Sequence, residues 1–161
     1  DTFGLVPFQP EPEFGKALHQ FMAHPDERTH HDLWRHCAFD LDGLLQCIGE
    51  RWDTFASYNV DRVRTPSVQA AAGTLMELFA VKAIPEGELA RITAPTTLIW
   101  GRNDRATPLS AAEAASARFG WALNAIDACA DDPPIERPEA LLRLLLSFLG
   151  GRPQQDSGRG S

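Results

Sequence analysis

No apolar run in this chain approaches the ~18 residues that a membrane-spanning helix needs. Its first residues hold no basic segment followed by an apolar stretch of signal type. Positive charge is in deficit: 15 Lys and Arg face 22 Asp and Glu, a formal net charge of −7 that disfavours broad attraction to nucleic acid or to an anionic membrane. Cysteine is scarce. Cys37, Cys47 and Cys129 are widely spaced and include no CxxC pair, so neither a disulfide framework nor a zinc knuckle is indicated, and a reduced, cytoplasmic setting is expected. Phosphate loops of GxGxxG or GxxxxGK type are missing, and no cofactor is expected. A Gly-x-Ser-x-Gly nucleophile elbow is missing too, since Ser57, Ser67, Ser110, Ser116 and Ser147 have no such flanking glycines.

What is present suits an ordinary globular domain: 161 residues, 43 % of them apolar, are enough for one real core. A small uncharged or weakly polar partner fits this composition better than a polyanion. Asp1 opens the chain and the first methionine is Met22, inside an expected helix, so the sequence reads as a processed product or a fragment.

The first half is helical in pattern. After a lead-in with Pro7, Pro10 and Pro12, the spacing of Phe14, Ala17, Leu18, Phe21 and Met22 predicts a helix from Glu13 to about His24-Pro25. Thr29 and Asp32 resemble a capping box. Behind them a helical stripe runs from Leu33 to Trp52, with Gly43 and Gly49 as expected breaks. Pro66 opens a further helix through Val68, Leu75, Met76 and Phe79. The pattern then changes. After a short turn of helix from Glu86, Thr96 to Trp100 reads as a buried strand ended by Gly101, and Ser110 caps a helix to Phe119. Ala122 to Ile126 reads as a second strand. Pro138 to Leu149 reads as a helix with Leu141, Leu142, Leu145, Phe148 and Leu149 inward. Strand, helix, strand, helix is a right-handed parallel unit. Two such strands do not complete a parallel sheet, which needs neighbours and cover on both faces.

The ordered pieces "ARITAPTTLIWGRNDRATP" (Ala90 to Pro108), the helix Ala112 to Arg118, and "IDACADDPPIERPE" (Ile126 to Glu139) resemble the last third of the α/β-hydrolase superfamily. The helical residues 1–88 are similar in placement to the cap such proteins insert after the sixth strand. The resemblance implies that Asp104, after Gly-Arg-x at the end of the seventh strand, is the acid that orients the catalytic histidine. A carboxylate at the carboxyl end of a parallel strand also sits where open α/β sheets bind ligands. The alternative is an aspartate that merely caps a turn.

In the family a histidine stands two residues before the Pro of H-x-P-x-x-E-x-P. Here that residue is Asp131, with Pro133, Glu136 and Pro138 matching the remainder. An aspartate titrates near 3.9 against about 6.5 for imidazole, so a neutral-pH base would need a rise worth roughly 4 kcal/mol. A second carboxylate close by would push in that direction, because the two resist joint ionisation. The bland reading is a polar loop before a helix. Cap histidines (His19, His24, His30, His31, His36) are weak replacements, and His31, Asp32 and His36 make a poor metal set, since His31 and His36 stand five apart, off one helical face; no metal is expected. Trp34, Phe39 and Trp52 are candidate substrate contacts, although aromatics more often pack helix on helix.

The expected fold is therefore a partial α/β-hydrolase: residues 1–88 a helical cap, 89–150 the C-terminal part of the core as a β-α-β-α unit, and 151–161 a disordered tail. The implied activity is hydrolysis of an ester, lactone or similar bond in a small apolar substrate, with the nucleophile upstream of this chain and the N-terminal half of the fold as its missing partner. The alternative is a non-catalytic relative that binds a small apolar ligand or a protein partner. A self-sufficient helical interaction module would leave the Thr96 to Trp100 edge exposed to aggregation.

Overall fold

Pro12, with its φ already set for a first helical turn, opens α1 (Pro12–Ala23), which turns Phe14 and Phe21 inward. A computed structural model describes residues 3–150; the expected tail 151–161 lies outside the described residues. Helix α2 (Glu27–Cys37) starts one turn earlier than the sequence suggested. Asp26, not Thr29, is its N-cap, accepting the Thr29 amide at 2.7 Å, and the Thr29 hydroxyl takes the Asp26 amide and bonds the His24 carbonyl. Thr29 is thereby buried while Asp32 stays exposed.

The next break falls at Ala38 to Asp40 rather than at Gly43. Asp40 caps α3 (Leu41–Ile48) by accepting the Gly43 amide, which puts that glycine inside the helix. Gly49 does end it, at φ 59. Helices α4 (Arg51–Arg64) and α5 (Pro66–Leu75) follow, α5 running into a π-helical turn (Met76–Ala80), and α6 (Glu86–Leu89) is a single turn.

Strands β1 (Thr97–Gly101) and β2 (Ala122–Ile126) pair in parallel, Thr97 opposite Ala122 and Gly101 opposite Ile126. Between them α7 (Leu109–Phe119) crosses, ending at Gly120 with φ 71; its N-cap position is Pro108, two before the expected Ser110 cap, and carries no side-chain cap. The turn α8 (Pro133–Glu136) precedes α9 (Pro138–Gly150).

Two apolar clusters organise these elements. Phe14, Phe21, Leu33, Trp34, Leu44 and Val60 form the helical one, which Ala106 and the half-buried Ile135 enter from the loops after β1 and before α9. Leu98, Trp100, Ala112 and Trp121 form the other, under the strands. The inward face expected for α9 is formed only in part: Leu141 and Phe148 are half-buried, no described residue of α9 is fully buried, and Leu142, Leu145 and Leu149 are exposed. Two strands are too narrow to cover a helix of that length. Leu75, Leu78 and Phe79 are exposed likewise. Among the described residues no helix is long and apolar enough to cross a membrane.

Candidate active site

The site is built where β1 ends. Gly101 is required there for space: a Cβ would run into the carbonyl oxygen of Ala130, so only glycine lets the loop after β2 lie against the end of β1. Two backbone bonds zip the approach, Arg102 N–H to Ile126 and Asn103 N–H to Cys129. Ala128 takes φ 51 to make the bend.

Asp104, 8 % exposed, sits on the β1 side of this junction. Its Oδ1 accepts the amides of Ala106 and Thr107, each at 2.8 Å, and the Trp100 indole donates to the Thr107 carbonyl, which fixes the loop. The turn-capping and functional readings thus divide between the two oxygens. Oδ1 closes the turn; Oδ2 is buried and accepts no hydrogen bond among the described residues. A buried carboxylate oxygen without a donor is costly and marks a place where a donor is expected.

Asp131 lies across the junction. Its amide donates to the Cys37 carbonyl at the end of α2, so the loop is docked on the helical region. Burial pushes the Asp104 carboxyl up to about 6, against the pull of the Thr107 amide, and the charge of Asp131 adds to the rise. Burial also raises Asp131 and Asp132. Asp104 and Asp131 are thus brought into one acidic junction. The same burial and the same carboxylates hold the Cys37 thiol well above its ordinary range, so it is no nucleophile at neutral pH. Burial, then Glu136, pushes Cys129 up to about 12.

Of the aromatic candidates, Trp34 and Trp52 pack with Phe55 around His30, and Phe39 lies exposed at the turn before α3. His30 is 1 % exposed; Asn59 Nδ2 lies 3.1 Å from its Nε2, and burial, with the charge of His31, lowers it to about 4. It is a neutral core histidine. Among the described residues no cluster of His, Cys, Asp or Glu is placed to hold a metal ion.

A hollow of about 550 Å³ lies between α3, the start of α4 and the turn α8 to α9, with Leu44, Ile48, Phe55 and Ile135 as floor and Arg51 and Arg137 beside them. A larger one, about 720 Å³, opens between α6 and α7; neither hollow is lined by Asp104 or Asp131.

Glu136 was visible in the sequence only as a matching letter of the motif. It is 6 % exposed and accepts from Phe39 N, Ala130 N and Asp132 N at 2.6, 2.9 and 3.2 Å. An acid four residues after Asp132, in a proline-flanked turn, was the available signal.

No protein-family model and no curated protein matches the chain. Solved structures do. A 2-hydroxy-6-oxo-6-phenylhexa-2,4-dienoate hydrolase from Rhodococcus is 20 % identical with a TM-score of 0.69, over 91 % of this chain and 52 % of that one. A serine hydrolase from the polyaromatic-hydrocarbon-degrading bacterium Cycloclasticus zankles is 24 % identical with a TM-score of 0.70, over 91 % and 52 %. A bacterial membrane phospholipase A described as a virulence factor is 20 % identical with a TM-score of 0.65, over 91 % and 46 %. The chain spans about half the length of these structures. Its fold is that of the C-terminal part of an α/β-hydrolase.

Proposed function

We propose that this chain is the C-terminal portion of a hydrolase acting on an ester, lactone or similar bond in a small, largely apolar substrate, with the nucleophile on a segment upstream. Asp104 is the orienting acid and Asp131 holds the histidine position. The observation that carries the reading is the buried Asp104 Oδ2, left without a donor beside Asp131 at the carboxyl end of β1. Structural neighbours that are hydrolases support the reaction class.

The helical residues 1–88 serve as the cap in this reading, with the hollow under α3 as part of the substrate pocket. Its floor is apolar. Arg51 and Arg137 are the two cations of its lining; of the two acids there, Glu136 accepts amides on both oxygens and Asp40 gives Oδ1 to the Gly43 amide. An apolar substrate carrying an acid group suits that lining; the dienoate acted on by the Rhodococcus neighbour is of this kind.

With Asp104 raised to about 6 and Asp131 raised as well, the pair holds a proton into the weakly acidic range and donates it better than it abstracts one from a serine hydroxyl. The test is turnover of aryl esters by this chain rejoined to its upstream segment. Turnover abolished by Asp131→Asn supports an acting Asp131. An inert protein that gains turnover with Asp131→His favours the second reading, a binding protein whose triad has lapsed, which the raised Asp131 supports.

A further inference from the structure

We propose that Glu136 is the positioning residue of the acid site, a clasp that ties the Asp131 loop to the entry of α3. One carboxylate joins three segments. Oε2 accepts the amide of Phe39, in the turn between α2 and α3, at 2.6 Å. Oε1 accepts the amides of Ala130 and Asp132, on either side of Asp131, and lies 3.8 Å from the Cys129 thiol. The group is 6 % exposed.

A carboxylate is the side chain this geometry demands. All its partners are donors, and they approach both oxygens. An amide of the same shape accepts at one end only; its NH₂ then faces either the Phe39 amide or the Ala130 and Asp132 amides, donor against donor. Clasped on both flanks, the main chain at Asp131 is held against the helical region, and its own amide donates to the Cys37 carbonyl. Asp40, the N-cap of α3, and Gly43 and Leu44 within it line the same hollow as Glu136, so a ligand there bears on the element the clasp holds.

The inference deepens the hydrolase reading and rests on it, since positioning has meaning only if Asp131 acts. The clasp itself can be read without turnover. In the 161-residue chain, Glu136→Gln should speed amide hydrogen exchange at Phe39, Ala130 and Asp132 at least tenfold while β1 and β2 keep their rates. The carboxyl titration of Asp131 should fall toward the ordinary aspartate range as the side chain reaches water. Unchanged exchange at the three amides, equal acceleration throughout the protein, or an unmoved Asp131 titration would each overturn the proposal.

If Glu136→Gln does not fold, Phe39→Pro removes a single donor and leaves the carboxylate. Ala38, at φ −92 and ψ 145, already has the extended backbone that precedes proline. A lowered Asp131 titration in that variant supports the clasp, and a wild-type titration overturns it. Loss of the hydrolase reading looks different: the rejoined protein is inert whatever the exchange rates, and the clasp stands if they rise.

Discussion

The backbone N–H of Asp131 donates to the carbonyl oxygen of Cys37 at 3.0 Å, which pins the candidate acid to the last turn of α2. Burial keeps Asp131 protonated further up the pH scale, against a lowering side-chain contact from Cys37. The same docking places the Cys37 side chain among four carboxylates.

A difference in thiol chemistry follows. At pH 8 an alkylating reagent should modify the exposed Cys47 and leave Cys37 and Cys129 untouched in the folded chain, since both are buried and held as thiols. Mass spectrometry of a timed iodoacetamide reaction counts the modified sites. Fast modification of Cys37 would mean that the α2 junction opens readily.

Asp104 carries its acidity at a cost to stability. Its folded pKa, about 6, stands above the ordinary 3.8, so the folded state binds the proton more tightly and stability falls as pH rises from about 4 to 6. The full cost of ionising the buried group, on the order of 3 kcal/mol, is present above pH 6. Asp104→Asn keeps the acceptor for Ala106 and Thr107 and removes the charge. It should raise Tm by several degrees at pH 7 and leave it unchanged near pH 4; a lower Tm at pH 7 would contradict the burial argument.

His30 acts with the opposite sign. Its folded pKa of about 4 lies below the ordinary 6.5, so the unfolded chain binds the proton more tightly. Its contribution is complete above pH 6.5 and is lost as pH falls toward 4, again roughly 3 kcal/mol across that window. Because the Asp104 and His30 windows overlap, wild-type melts should show a muted pH dependence. The Asp104→Asn variant removes one opposing group while Asp131 and Asp132 stay raised, so its stability should fall more between pH 6.5 and 4 than that of the wild type. No added fall in that variant would count against the opposition of Asp104 and His30.

Gly101→Ala tests the junction by crowding. The new Cβ meets the Ala130 carbonyl oxygen, backbone that cannot rotate away, so the loop bearing Asp131 must shift. A loss of about 3 kcal/mol is expected from denaturant unfolding, at the upper end for overpacking. A cost below about 1 kcal/mol would mean that the loop adapts freely.

The legible parts of this molecule were those whose pattern is local. Phe14 to Phe21 and Ala122 to Ile126 announce helix and strand through their own spacing, and both elements formed. The ordered motif around Asp104 and Asp131 announced the fold. Choices settled by competition were harder to see. Asp26, Thr29 and Asp32 stand three apart, and only the burial of Thr29 decides which of them caps α2. Gly43 looked like a break until Asp40 capped its amide. The role of Glu136 depends on Phe39, whose position is set by two intervening helix ends and by no local pattern.

The exposed leucines of α9 carry the last expectation. Leu142, Leu146 and Leu149 are 55, 59 and 57 % exposed, and Leu78 and Phe79 add a second apolar surface. With two paired strands in the described structure, β1 and β2 each also present an outer edge. Apolar surface and unpaired edges both favour association between copies. The 161-residue chain should therefore run above its monomer mass in light scattering at micromolar concentration. Leu142→Glu combined with Leu146→Glu should shift it toward monomer without lowering helix content by circular dichroism, because neither side chain is buried. A sharp cooperative melt from a clean wild-type monomer would mean that these surfaces are tolerated in water and would count against the expectation of a missing half-fold.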